Sequence, residues 1–265
     1  MVMYCRRLGT PQSGKPWLVM LHGLLGSGED WQPILPYLTD WPVLLVDLPG
    51  HGASASLKAA DFDDVSRQLT RLLVQYAVAD FWLLGYSLGG RIAMHYACQS
   101  EAAGLRGLLV EGGHPGLASA EEREARRRHD ADWARRFRHE PLNRVLPDWY
   151  RQPVFASLSP AQRSSLIALR SGNHGLAVAD MLEATSLSRQ PYLAEALQRL
   201  QVPFGYLCGS QDTKFQALAT QHRLPLLSVD GAGHNAHQAN PSGYAERVRQ
   251  FISYPERKIQ YALSQ

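Results

Sequence analysis

Apolar residues fall in short unbroken runs, and these alternate with stretches in which apolar residues recur every three or four positions. The runs are 17–22, 43–46, 81–84, 105–110, 204–208 and 224–229. Each has strand length and is apolar on successive positions, as strands buried on both faces are. Between them, 61–79 carries Val65, Leu69, Leu72, Leu73 and Tyr76 at helical spacing, and Ile92, Ala93 and Tyr96 follow Leu88 in the same way. A short helix is predicted over 30–38 and a closing one over 243–252. Strand and helix in alternation predict an α/β fold, a mostly parallel sheet with helices on both faces. From 118 to 190 strand runs disappear, and 120–139, 142–150, 160–170 and 176–187 all read as helices. The chain therefore divides into a core over 1–117, a helical insertion over 118–190 and a second part of the core over 191–265. The end of the chain, 254–265, is charged and is expected to be peripheral.

The run at Phe81–Leu84 stops at Gly85-Tyr86-Ser87-Leu88-Gly89, between a predicted strand and a predicted helix. A serine on so sharp a turn needs small neighbours two residues away on either side, because larger side chains would collide. The turn lifts the hydroxyl above the sheet at the positive end of the helix dipole. A glycine-rich turn with a bystander serine is the alternative, and the rest of the chain bears on it. Asp212 and His234 each follow a strand run as Ser87 does, so a parallel sheet brings all three to one edge. Glu111 also ends a run and is a rival for the acid. His237 is a rival for the base, but Gly231-Ala232-Gly233 suits a loop that presents His234.

Composition narrows the classes. At 265 residues and 45% apolar content the chain can bury one sizeable core with an inserted subdomain. A net charge of +3 makes no case for nucleic acid. Charge distribution says more, since 123–170 holds eleven arginines and no lysine. Guanidinium forks suit carboxylate or phosphate recognition, although most of the eleven fit solvated helix faces. Cys5, Cys98 and Cys208 are odd in number and lack metal-ligand spacing, so free thiols in a cytoplasmic protein are expected. The first residues lack the apolar stretch of a signal peptide, and no run reaches membrane-spanning length. No metal cluster or dinucleotide fingerprint is seen, and no cofactor is expected.

The elbow, the order Ser87, Asp212, His234 and the loops His22-Gly23-Leu24-Leu25-Gly26 and Asp47-Leu48-Pro49-Gly50-His51-Gly52 resemble the α/β-hydrolase superfamily. The runs Glu-Gly-Gly-His-Pro-Gly-Leu (111–117), Trp-Tyr-Arg-Gln-Pro-Val-Phe (149–155) and Met-Leu-Glu-Ala-Thr-Ser-Leu (181–187) are similar to a narrower group. That group is the 2-succinyl-6-hydroxy-2,4-cyclohexadiene-1-carboxylate synthase family of menaquinone biosynthesis.

The superfamily resemblance implies an α/β-hydrolase fold with 118–190 as a cap, a catalytic triad of Ser87, Asp212 and His234, and an oxyanion hole from the N–H groups of Leu24 and Leu88. His22, Asp47 and His51 are then expected to prop loops. The narrower resemblance implies a lyase that eliminates pyruvate from a small-molecule substrate bearing several carboxylates. Arg91, Arg126 and Arg170 would meet the carboxylates, and Tyr86 and Trp149 would line the pocket. A serine hydrolase acting on an ester or a carbon–carbon bond, and a catalytically silent receptor, are the competing readings.

Overall fold

The structure, a computed structural model, describes residues 2–10, 15–99 and 102–253, so the charged end at 254–265 lies outside the described residues. The strands are β1 (Cys5–Leu8), β2 (Trp17–Leu21), β3 (Val43–Val46), β4 (Phe81–Tyr86), β5 (Leu105–Glu111), β6 (Phe204–Gly209) and β7 (Leu226–Val229). They form one sheet in the order β1-β3-β2-β4-β5-β6-β7. β1 runs antiparallel to β3 and every other pairing is parallel.

Both faces are covered, which is why the central strands read as continuous apolar runs. Val19, Leu21 and Leu83 share one cluster with Val65, Leu69 and Leu72 of α1 (Phe62–Gln75) and Ile92 of α2 (Leu88–Ala97). Leu18, Met20 and Leu84 face the other way, toward Trp31 and Ile34 and toward Tyr244, Val248 and Phe251 of the closing helix at Pro241–Ser253. The chain leaves β3 on one side of β2 and returns to β4 on the other. That order reverses direction between β2 and β4, where open α/β sheets form a crevice at the strands' carboxyl ends.

Between β5 and β6 lie α3 (Ala120–His139), α4 (Leu142–Trp149), α5 (Pro160–Arg170), α6 (Gly175–Ala184) and α7 (Ala194–Gln198). Serine capping boxes start α3 and α5, at Ser119 with Glu122 and at Ser159 with Gln162. Phe137, Val145, Leu146, Tyr150, Val178 and Leu182 make a separate apolar cluster, and Leu25 of the loop after β2 belongs to it. The insertion is thus seated on the loop that follows β2.

Three differences from the sequence reading have local causes. The helix predicted over 30–38 is a 3₁₀ helix, Gly28–Tyr37, because Pro33 and Pro36 remove the N–H groups an α-helix needs. The helix predicted to reach Leu187 ends at Ala184, where the Thr185 hydroxyl bonds back to the Met181 carbonyl at 2.6 Å. β1 was not predicted, since it is a four-residue edge strand carrying Arg6 and Arg7 and buries only Cys5 fully.

Candidate active site

Ser87 stands between β4 and α2 with φ 50° and ψ −107°, a conformation that L side chains rarely adopt. Backbone held in such a region costs about 1–3 kcal/mol and persists only where the surroundings enforce it. Here the Ser87 N–H is bound by the Glu111 carbonyl at 2.8 Å, and the Gly89 N–H by the His22 carbonyl at 3.1 Å. A Cβ at Gly85 or Gly89 would collide with the backbone of Gly89–Gly90 or of Leu21–His22, so the two glycines are steric requirements of the turn.

The residue expected as the acid is held by the helix it starts. Asp212 caps α8 (Thr213–Gln221), accepting the Phe215 N–H on Oδ1 at 3.2 Å, and its Oδ2 meets His234 Nδ1 at 2.8 Å. Among the described residues, Nε2 of that ring carries no hydrogen bond. The His234 ring packs against Phe215 at 4.7 Å, Tyr86 at 5.4 Å and Phe155 of the insertion at 6.3 Å between centroids. It also lies against Gly112, where an added Cβ would come within 2.6 Å of the ring. Gly112 follows the residue that binds the Ser87 N–H, so the His234 ring, which comes from the loop after β7, reaches the end of the strand next to the one that carries Ser87. Among the described residues, no hydrogen bond joins the Ser87 hydroxyl to His234.

The rivals from the sequence reading are paired with each other. Glu111 Oε2 meets His237 Nδ1 at 2.7 Å, and both side chains are 1% exposed. Neither can replace Asp212 or His234 without breaking that pair.

The loop after β2 is set by two neutral histidines. His51 Nε2 accepts the Leu25 N–H at 3.0 Å and His22 Nε2 accepts the Leu48 N–H at 3.0 Å. Their Nδ1–H groups therefore donate to the Pro49 and Gly23 carbonyls. Burial pushes His22 down to about 4 and His51 down to about 3. Asp47 accepts the Gly28 and Ala53 N–H groups at 2.7 and 2.8 Å. Among the described residues, the N–H groups of Leu24 and Leu88 carry no such bond.

The three arginines differ in how they are held. Arg91, 9% exposed, donates to the Thr185 carbonyl at 2.7 Å and lies 5.7 Å over the Phe62 ring, with no carboxylate bonded to it among the described residues. Burial first, then the Arg126 charge, pull its pKa down to about 9, and it stays a cation at neutral pH. Arg126 bonds Asp130 at 2.7 Å. Asp130 also accepts the Ser186 hydroxyl at 2.7 Å, and despite burial the bonds from His129, Arg126 and Ser186 hold it down at about 2. Thr185 and Ser186, neighbours in sequence, thus reach both arginine sites. Arg170 bonds Asp30 at 2.6 Å, and its Nε is buried with no partner among the described residues. Trp149 packs edge-on to Trp133 at 5.0 Å and against Phe137 at 5.3 Å, inside the insertion. Most other arginines of 123–170 pair on the surface, Arg127 and Arg128 with Glu124 and Arg138 with Asp180 and Glu183 among them.

The chain matches the alpha/beta hydrolase fold family over residues 16–241. It is 64% identical over 241 residues to a 2-succinyl-6-hydroxy-2,4-cyclohexadiene-1-carboxylate synthase of Pectobacterium atrosepticum, covering 91% of this chain and 95% of that one. The chain belongs to the α/β-hydrolase family, and within it to these synthases. A synthase of the same name from Yersinia pestis is 57% identical over 255 residues, 94% of each chain. The structure of MenH from S. aureus superposes with a TM-score of 0.86 at 25% identity, covering 94% of this chain and 97% of that one.

Several contacts of this α/β-hydrolase site escape a linear reading. Phe155 and Phe215 brace His234 from the insertion and from α8. Phe215 could have been found, because Asp212 is a good N-cap and Phe215, Leu218 and Ala219 follow at helical spacing. Asp30 offers no local signal, since its partner Arg170 lies 140 residues away.

Proposed function

We propose that this chain is a carbon–oxygen lyase of menaquinone biosynthesis that removes pyruvate from 2-succinyl-5-enolpyruvyl-6-hydroxy-3-cyclohexene-1-carboxylate. The observation that carries the reading is the 64% identity, over 95% of its length, to a relative named as the synthase of the corresponding diene. In this reading Ser87, polarised by His234 and Asp212, takes the proton at ring carbon 2, beside the succinyl ketone. The electron pair of that bond becomes the 2,3 double bond and the 3,4 double bond shifts to 4,5. The bond from carbon 5 to oxygen breaks with its electron pair on the oxygen, and the departing enolate takes up a proton and becomes pyruvate. Charge that gathers on the ketone oxygen is met by the Leu24 and Leu88 N–H groups. The reaction so written needs no cofactor.

The arginines support a substrate rich in carboxylates. A buried guanidinium whose partners are a neutral carbonyl and an aromatic face is short of negative charge, and Arg91 is in that state. We assign the substrate's carboxylates to Arg91, Arg126 and Arg170, with Tyr86 and Trp149 as walls and residues 118–190 as the cap. The free thiols Cys5, Cys98 and Cys208 fit a cytoplasmic enzyme. The test is pyruvate release from the enolpyruvyl substrate by the purified chain and by Ser87→Ala. Pyruvate formed by the wild type and not by the variant is expected, and a wild type that forms none sinks the reading.

A further inference from the structure

Glu111 touches both halves of the site. It ends β5 opposite Tyr86 of β4, and its carbonyl accepts the Ser87 N–H at 2.8 Å. Its side chain reaches the loop that follows His234. Oε1 accepts the N–H groups of Ala236 and His237 at 2.6 and 3.3 Å, and Oε2 meets His237 Nδ1 at 2.7 Å. These N–H groups open the short helix at Ala236–Ala239, two residues after His234. The His237 ring is wedged between Trp31 and Tyr86, each at 4.7 Å, and Tyr86 in turn packs on His234.

We propose that Glu111 is a positioning residue of the reaction, which sets the separation of Ser87 and His234 by holding the backbone of one and the loop of the other. The proposal rests on the triad assigned above. Glu111 is 1% exposed with both carboxylate oxygens occupied, so it is placed to hold rather than to exchange a proton with substrate. A buried carboxylate costs several kcal/mol to desolvate, and a plain loop anchor does not need one. What this carboxylate adds is reach. It binds two consecutive N–H groups and an imidazole at once, which neither an amide nor a hydroxyl can do as an acceptor on both atoms. Among the described residues the His234 side chain has one polar partner, Asp212, so its position along the sheet edge depends on the loop that Glu111 grips. A shift of about 1 Å in a catalytic group is enough to cost about a hundredfold in rate.

The test compares Glu111→Gln, Glu111→Ala and Leu72→Ala in the full chain. Leu72 is a fully buried residue of α1 and lies outside the site, so its loss weakens the fold without touching Ser87 or His234. Three quantities are read per folded enzyme: kcat, KM for pyruvate release, and the rate at which a fluorophosphonate labels Ser87. Labelling reports serine activation with no substrate carboxylates involved. Both Glu111 variants are expected to lower kcat by about ten- to a hundredfold, to slow labelling in parallel and to leave KM near the wild-type value. Leu72→Ala is expected to lower Tm and leave the other quantities unchanged. Should Glu111→Ala not fold, Glu111→Gln carries the test, because it keeps the length of the side chain and one acceptor oxygen. Wild-type kcat and labelling in Glu111→Gln overturns the proposal, as does a raised KM at unchanged kcat. If Ser87→Ala still releases pyruvate at the wild-type rate, the triad itself is wrong; if it is inactive while Glu111→Gln is normal, only the positioning role falls.

Discussion

Arg91 donates to the carbonyl of Thr185 at 2.7 Å, which ties the helix behind Ser87 to the residue after α6. The acceptor is neutral, so no carboxylate among the described residues is bonded to Arg91. Arg126 and Arg170 already share theirs with Asp130 and Asp30. Each hydrogen bond from a charged group to substrate contributes about 1.5–3 kcal/mol. Arg91→Ala is therefore expected to lower kcat/KM by about ten- to a hundred-and-fifty-fold, with Arg126→Ala no larger in effect. Arg91→Lys is expected to recover little, because an ammonium cannot copy the fork. Arg127→Ala and Arg128→Ala remove exposed partners of Glu124 and are the controls. Equal small losses across these variants would mean that the arginines do not meet substrate carboxylates.

Arg170 makes a structural bond that can be separated from its proposed contact with substrate. Its bond to Asp30 is buried on both sides and links α5 of the insertion to the 3₁₀ helix at Gly28–Tyr37. Removing one partner of a buried pair strands the other charge, at a cost of about 3–5 kcal/mol. Arg170→Ala is expected to be destabilised by about that amount in urea unfolding. Arg170→Ala with Asp30→Asn is expected to recover most of the stability and none of the kcat/KM, if Arg170 also meets substrate. Recovery of both would leave Arg170 a strut.

Sequence legibility follows how local each feature is. The elbow at Ser87 is readable because its glycines are steric requirements within five residues. The strands buried on both faces are readable because burial writes itself as an unbroken apolar run. β1 is not readable, for an edge strand with Arg6 and Arg7 carries no such run. The pairing of Glu111 with His237 is not readable either, since 126 residues separate them. Their sequence positions make them rivals for catalysis, and only the hydrogen bond in the folded chain shows that they meet.

Buried neutral histidines give the fold an acid-sensitive range. Burial takes His22 to about 4 and His51 to about 3. His114, also about 3, is lowered by burial and then by His222, Arg91, Lys214 and Arg126. In the unfolded chain a histidine titrates near 6.5. Below that pH the unfolded state binds protons that the folded state refuses. Stability is thus full above about pH 6.5 and falls with acid down to the folded values, by about 1.4 kcal/mol per pH unit for each histidine. Asp130 does not offset this, because its carboxylate is lost only below the usual aspartate range, toward about 2. Urea unfolding between about pH 7 and about pH 5 is expected to show this slope, and His114→Gln to reduce it by about one proton. A flat profile would mean that these rings are protonated in the folded protein.

The last prediction concerns how Ser87 acts. The same triad can attack a carbonyl or remove a proton, and the two differ in whether a covalent bond to the enzyme forms. Proton abstraction from ring carbon 2 asks for a basic oxygen with an imidazole to take its proton, and for N–H groups facing the ketone oxygen. In the proposed reading His234, with Asp212 on Nδ1, offers Nε2 for the first need, and the N–H groups of Leu24 and Leu88, without a bond among the described residues, would meet the second. Rapid quench during turnover followed by intact mass measurement is therefore expected to show unmodified protein. Ser87→Ala, His234→Ala and Asp212→Asn are each expected to reduce turnover by orders of magnitude, and by non-additive amounts in combination, because the three act as a unit. Asp212→Asn is the sharpest of these, since an asparagine amide can present a donor to Nδ1 and favour the wrong tautomer of His234. An adduct on Ser87 during turnover of the enolpyruvyl substrate would replace the base with a nucleophile and turn the reading toward a hydrolase mechanism.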